Sequence, residues 1–546
     1  MTVTSNPTRV DRSGAVTFHH PAAFWFGVVA VIAGVLLHIP MYLMGRHNGY
    51  RLAGMPMDAG MLFGMAAIVV GLAASLYGLH PDLSERRAGG ASKLRIQAMD
   101  DAPIGWSHIG LLLTMAVAIT IDIMKPTAMA FVIPGMTQEY NLKSPLNPGG
   151  TYPAALLALA GISGTMLGSM LWGWLGDRIG RRASILFAGI NFIATSICGT
   201  MPDFFWNLGM CFLMGLGVGG MLPIAYTLLA ETIPARHRGW LMVLVGADVA
   251  GAYILTSWLA AELLPVYSWR ILWLIGLPTG VLFIMLNRWI PESPRFLLAT
   301  GRPEEARWVM ERYGAKVLDG SAATPQLQVP MEGRWRALIE PRFIGATLVV
   351  VSVGVGCGLV LFGFNLWIPT NLRKLGFAQA DAILRNSALI GFPLTFVVAW
   401  MYGFWSSKKT MLALTILTAV ALAGFVLAGD SIVHNRSLLY TLLIVPIWGI
   451  NSVIAVLSVY SAEIYPTEVR SKGTGLSAGA CKAGGVFIIA LVCLQVAPPT
   501  MASIALIGAV SMAVAVMALS RFGVETRHRG LEEISTSLQS SSGKSS

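Results

Sequence analysis

Four ionisable residues sit inside segments otherwise suited to lipid: Asp122 and Lys125 in one, Asp248 in a second and Lys482 in a third. A charge near the middle of a membrane helix costs about 2.5–3.5 kcal/mol on insertion scales, so it usually turns inward and marks a pathway. Asp122 and Lys125 are three residues apart and share a helix face. Pro126 cannot donate the backbone bond that would satisfy the Asp122 carbonyl. Lys125 and Lys482, in opposite halves of the chain, favour an anion between them, and Asn365 can add a hydrogen bond. Asp122 or Asp248 would then supply charge compensation and a carboxylate able to carry a proton. Each group also has a plainer reading. Asp122 and Lys125 can neutralise one another, Lys482 can snorkel to a nearby helix end, and Asp248, among Gly246, Ala247, Ala250 and Gly251, can pair with another helix. Tyr253, Trp258, Phe364, Trp367 and Trp448 suit a ring-containing solute, and equally suit helix packing.

Long apolar helices must position these groups. Only 12% of residues are charged, 55% are hydrophobic and the mean hydropathy is +0.66, whereas a soluble domain carries roughly 25% charged residues. The chain therefore belongs in a bilayer. Spanning takes roughly 20 mainly apolar residues, and about fourteen segments qualify. They predict a cytoplasmic N-terminus at 1–23, an extra pair of transmembrane helices at 24–79 and a charged linker at 80–105. A six-helix bundle at 106–290, a central polar loop at 291–342, a second six-helix bundle at 343–521 and a tail at 522–546 follow.

With both termini cytoplasmic, the basic loops fall on the inner side, including the one with Arg86, Arg87, Lys93 and Arg95. Two outer loops, one with Arg46 and Arg51 and one with Arg373, Lys374 and Arg385, run against that rule. The net charge of +11 is then a topology signal, and a nucleic-acid partner has no support. No small-residue cleavage site follows the polar start, so the first helix reads as retained. The five cysteines have no disulfide or zinc spacing, and His19, His20, His38 and His47 form no clear ligand set. Gly215 to Gly220 contains a G-x-G-x-x-G pattern, but inside an apolar span it reads as helix packing. No phosphate-cradling lysine loop is present, and no cofactor is implied.

Two polar patterns punctuate the spans. Gly173-Trp-Leu175-Gly-Asp177-Arg178-Ile-Gly180-Arg181-Arg182 lies between the second and third core helices. Gly173 removes a side chain where helices can approach closely, Asp177 can accept hydrogen bonds from a neighbouring helix start, and Arg178, Arg181 and Arg182 mark the cytoplasmic face. Glu231-Thr-Ile-Pro234-Ala-Arg236-His-Arg238 after the fourth core helix repeats as Glu463-Ile-Tyr-Pro466-Thr-Glu468-Val-Arg470 after the tenth. The counterpart of the Gly173 loop has decayed: Gly403 is kept, Ser407 stands in the place of Asp177, and Lys408-Lys409 alone keep the positive charge, so that side should carry a weaker network.

The Gly173 loop has the G-x-L-x-D-R-x-G-R-R form of major facilitator superfamily transporters, and the resemblance covers roughly residues 106–535. It implies an all-α membrane fold, with twelve core helices in two bundles that rock about a central site, here with two extra N-terminal helices. It also implies that Glu231, Arg238, Glu463 and Arg470 belong to charge clusters that break and remake in gating, together with Gly173, Asp177, Arg178, Arg181 and Arg182. Pro291-Glu292-Ser293-Pro294-Arg295, with Val524-Glu525-Thr526-Arg527 through Ile534, resembles the branch of sugar porters, organic ion transporters and aromatic acid symporters. The paired glutamine of sugar porters is missing near Asn365, which argues against a sugar. Asp122 matches the first of two aspartates in the aromatic acid symporters, but Lys125 replaces the second. Lys482 stands where organic anion transporters carry an arginine. Lysine keeps the charge without the planar fork. The expectation is a secondary transporter, not an enzyme, moving a small organic anion by alternating access, with proton symport against an inside-negative potential. Export of an amphipathic or cationic compound is the alternative within transport, and a non-transporting sensor or scaffold the alternative outside it.

Overall fold

A computed structural model describes residues 18–80, 97–144, 147–246, 248–316, 335–365, 391, 393–429, 436–494 and 501–534. The described residues are helical and contain no β-strand. Among the described residues twelve helices are long and apolar enough to cross a membrane, and two shorter apolar helices, Ile254–Tyr267 and Leu394–Trp405, accompany them.

In chain order the elements are α1 (Pro21–Leu36), α2 (Ala59–Leu79), α3 (Trp106–Glu139), α4 (Ala155–Ile179), α5 (Arg181–Ala194) and α6 (Phe204–Thr232). Then come α7 (Ala235–Gly246), α8 (Asp248–Tyr267) and α9 (Ile271–Trp289). The second half holds α10 (Ile344–Asn365), α11 (Leu394–Trp405), α12 (Ser407–Ala428), α13 (Arg436–Ile464), α14 (Arg470–Cys493) and α15 (Met501–Phe522). The loop with Arg86, Arg87, Lys93 and Arg95, the loop with Arg373, Lys374 and Arg385, and Trp367 lie outside the described residues.

Small residues let the two halves touch. A Cβ on Gly173 of α4 would lie 2.4 Å from the Ser471 carbonyl of α14, and one on Gly475 would lie 2.4 Å from the Ser169 carbonyl. Without a hydrophobic force between helices in lipid, such backbone contact supplies the packing energy. Gly403 of α11 meets the side chain of Trp240 of α7, and Thr227 and Thr474 hydroxyls bond across the halves at 3.1 Å. The last six residues of α10, Val360–Asn365, widen to a π-helix, a form that recurs at functional sites.

The added pair α1–α2 is built on glycines spaced seven apart. Gly27 and Gly34 of α1 face Gly71 and Gly64 of α2, and Gly78 faces Phe24. The pair lies across α5, which is almost wholly buried as a result, while Phe26, Val29, Phe63 and Val69 point outward. At the end opposite the Gly173 loop, Glu139 fastens the pair to the core. Its carboxylate accepts the N–H groups of Leu52 and Ala53 at 2.7 and 3.0 Å, Trp269 Nε1 at 2.9 Å and Arg270 Nη2 at 2.6 Å. Tyr42 adds a bond to the Tyr267 carbonyl at 2.9 Å.

A Cβ on Gly71 would sit 2.7 Å from the Gly27 carbonyl. Gly71→Leu therefore overpacks the pair at a cost of about 1–3 kcal/mol and lowers the heat-unfolding midpoint of the detergent-purified protein. An unchanged midpoint would mean that α1 and α2 do not approach this closely.

Candidate functional site

The chain turns sharply between α4 and α5 because Gly180 adopts φ +100°, a conformation that favours glycine. A Cβ there would also lie 2.4 Å from Glu292 Oε2. The turn leaves Asp177 and Arg181 on one side, 3.5 Å apart. Arg181 Nη2 reaches Glu231, at the end of α6, at 3.1 Å. Arg470, from the start of α14, reaches the same carboxylate oxygen at 2.5 Å. Glu231, Arg181 and Arg470 are each about 1% exposed. One buried carboxylate thus holds an arginine from each half.

Asp177 reinforces the junction. It accepts the backbone N–H groups of Ser471 and Lys472 at 3.3 and 3.2 Å and the Lys472 ammonium at 3.0 Å. A carboxylate of the first half therefore caps the N-terminus of α14 in the second, where helix dipole and unpaired N–H groups both favour negative charge. Arg178 stacks on Trp174 at 4.9 Å, and its Nε has no hydrogen-bond partner. Arg182 donates to Asn287 at 3.3 Å.

Arg238 and Glu463 occupy the mirror positions but do not bond to each other. Arg238 bonds to Asp100, from the linker before α3, and to the Ile233 carbonyl at 3.3 Å. Glu463 accepts the hydroxyls of Tyr402 at 2.8 Å and Thr526 at 2.6 Å. The half whose loop has decayed has no arginine for Glu463 in the place of Arg181: the matching position is Met411.

The branch motifs have roles that their sequence alone left unassigned. Glu292 caps α5 by accepting the N–H groups of Arg181 and Arg182 at 2.9 and 3.2 Å. Glu525 caps α12 in the same manner, through the Ser407 N–H at 2.9 Å and hydroxyl at 2.6 Å. The repeated pairs Glu292-Ser293 and Glu525-Thr526 were the signal for this symmetry. Arg295 then ties the motifs together across the halves, donating to Glu532 at 2.8 and 3.2 Å, to Asp100 at 3.1 Å and to the Glu231 carbonyl at 3.0 Å. Asp100 gave no signal beyond being one of two adjacent aspartates in a charged linker.

Deeper in the molecule, Asp122 and Lys125 are both buried, at 2% and 3% exposure. Lys125 Nζ turns into the first half, donating to the Phe192 carbonyl and the Thr195 hydroxyl, both at 2.5 Å, and lying over the Phe192 ring at 4.2 Å. It satisfies a carbonyl in the last turn of α5, where intrahelical donors run out. Asp122 Oδ2 is left without a hydrogen-bond partner. Lys482, half-buried on α14, is a cationic neighbour of Asp122 from the opposite half. Asn365 Oδ1 at the π-helical end of α10 and Trp448 Nε1 on α13 are also buried without partners. Phe364 packs on Phe425, with ring centroids 5.0 Å apart, and Trp258 is exposed. Asp248 begins α8, but its side chain, like that of Tyr253, lies outside the described residues. Among the described residues no cluster of His, Cys, Asp and Glu could hold a metal.

Two predictions concern this junction. Glu231→Gln leaves Arg470 with only uncharged hydrogen-bond partners and costs about 3–5 kcal/mol, as expected for breaking a buried pair; the check is the heat-unfolding midpoint, and a variant as stable as wild type would contradict it. Burial alone would raise the Glu532 carboxyl, but Arg295 and Arg470 outweigh it and hold the group down at about 2. A depressed carboxyl contributes stability that is complete above its ordinary value of 4.5 and is lost as pH falls towards about 2. The acid limb of a stability-against-pH curve is therefore shallower in Glu532→Gln than in wild type.

Residues 123–538 match the family model described as "Sugar (and other) transporter". The niacin transporter NiaP of Acinetobacter baylyi is 27% identical over 72% of this chain and 88% of its own length. The 4-hydroxybenzoate transporter PcaK of the same organism is 25% identical over 72% of this chain and 87% of its own. Among solved structures, the proton:xylose symporter XylE superposes with a TM-score of 0.63 at 18% identity, over 79% of this chain and 99% of XylE. Family and fold are those of transporters rather than enzymes: the chain is a multi-pass membrane protein with the major facilitator fold, and it belongs to the sugar (and other) transporter family.

Proposed function

We propose that the chain moves a small organic anion, a carboxylate or aromatic acid, across the cell membrane by alternating access, with both termini cytoplasmic. The observation that carries this reading is Lys482 standing near Asp122 across the two halves. A cation on one half and a carboxylate on the other give a substrate carboxylate and a proton separate places to bind. Asn365, with an unused buried oxygen, supplies a polar contact. Lys125 adds positive charge from within the first half, and Asp122 or Asp248 carries the coupling proton. Relatives that transport niacin and 4-hydroxybenzoate support an aromatic acid. The Glu231, Arg470 and Asp177 contacts serve as the gate that parts when the site opens to the cytoplasm. The division into an added helix pair, two six-helix bundles and a central loop is part of the same proposal.

A second reading has its own observation. Asp122 keeps a buried, unpartnered oxygen while Lys125 is engaged elsewhere, which would suit export of an amphipathic cation. A heat-stability screen with carboxylates, sulfonates, neutral isosteres and organic cations separates the two. A ligand at about 100 times its Kd stabilises by roughly 2.7 kcal/mol. Carboxylates are expected to raise the midpoint in wild type and not in Lys482→Ala, and Asp122→Asn should retain exchange while losing accumulation in vesicles. Stabilisation by cations alone, unchanged in Lys482→Ala, would replace the anion with a cation.

A further inference from the structure

The symmetry between the two gate repeats fails at one place. Seven residues after each gate carboxylate comes an arginine, Arg238 after Glu231 and Arg470 after Glu463. Arg470 crosses to Glu231 at 2.5 Å. Arg238 is the leading cationic neighbour of Glu463, yet its guanidinium bonds to Asp100 instead. Asp100 is 8% exposed, and its second oxygen accepts from Arg295 at 3.1 Å. Met99 and Ala102 beside it are buried, and Gly530 of the C-terminal segment lies against it, where a Cβ would be 3.3 Å from Oδ2. A linker that precedes the core thus delivers a carboxylate into the gate.

We propose that Asp100 is a positioning residue that holds Arg238 off Glu463, so that only one of the two reciprocal locks between the halves closes. Arg238 belongs to the first half and Arg295 to the loop that directly follows it, so this bridge need not break when the halves part. Glu463 meanwhile rests on two hydroxyls of its own half, Tyr402 and Thr526. It gives up no direct ion pair on separation. The closed end is therefore held by Glu231–Arg470 and by the Asp177 and Arg295 contacts, without a second gate pair that opening would have to desolvate. The linker sets the balance between end states through a charge it lends to Arg238.

The proposal rests on the alternating-access reading, and its test needs no substrate. Pulsed spin-label distances across the halves, with one pair of labels at the gate end and one at the opposite end, report the closed and open populations in lipid nanodiscs. Asp100→Asn frees Arg238 for Glu463 and raises the closed-to-open ratio at the gate end about fivefold or more, as expected for one added charge-assisted pair. Asp100→Glu keeps the wild-type ratio. In a Glu463→Gln background Asp100→Asn has no effect, an outcome that a merely structural role would not give. Glu463→Gln alone, which needs no change at Asp100, leaves the ratio within about twofold, because no direct pair is lost.

Two populations whose balance Asp100→Asn leaves alone would overturn this proposal only, and a single unmoving population in every variant would overturn the alternating-access reading with it. A shift towards open, or one that persists in Glu463→Gln, would also overturn the role given to Asp100.

Discussion

A buried carboxylate between two arginines is the constraint on which the rest of this molecule turns. Glu231 cannot be dehydrated alone at tolerable cost, and neither can Arg181 or Arg470; each is stable in the interior only because the others are there. Since Arg181 and Arg470 come from different halves, the requirement to neutralise Glu231 is also a requirement for the halves to meet. The close glycine contacts at Gly173 and Gly475 follow from it, because the guanidinium of Arg470 reaches Glu231 only if α14 lies directly against α4. Asp177 then uses the same proximity to cap α14. Contacts of this kind are strong when dry and weak when wet, which suits the gate proposed for this junction.

The internal repeat explains how such a joint is built, and its defects explain its asymmetry. Glu292 and Glu525 cap the third and ninth core helices in matching ways, so the scaffold under the gate is duplicated. The residues on that scaffold are not. Ser407 in place of Asp177 turns to Glu525 and Thr526 of its own half rather than across the interface, and Met411 leaves Glu463 to neutral hydroxyls. One side of the pseudo-symmetric gate is ionic and the other is a set of hydrogen bonds.

The spans and the Gly173 loop could be read from the chain because each rests on local chemistry: a run of apolar residues, a glycine at a helix end, an acid four residues later. Gly173 and Asp177 are cases where a residue's immediate surroundings name the kind of partner it needs. Lys125 was less legible. Its spacing from Asp122 correctly implies a shared helix face, but not that α5 would end at Ala194 and pass into a tighter turn, leaving the Phe192 carbonyl for a lysine on another helix. Asp100 was not legible at all, since two arginines nearly 140 and 200 residues away decide its role. Such contacts depend on tertiary placement, which no spacing rule reports.

The added pair α1–α2 has a consequence for the membrane itself. By covering α5 and being fastened through Glu139, it moves part of the first half's lipid-facing surface outward, and among the described residues no such pair covers the second half. The alternating-access movement proposed above therefore disturbs unequal lengths of lipid annulus. Matching hydrocarbon thickness to protein costs fractions of a kcal/mol per Å, so bilayer thickness enters the balance between end states with unequal weight on the two sides. Acyl-chain length becomes a variable of the proposed transport cycle, one to which a symmetrical bundle would be less sensitive.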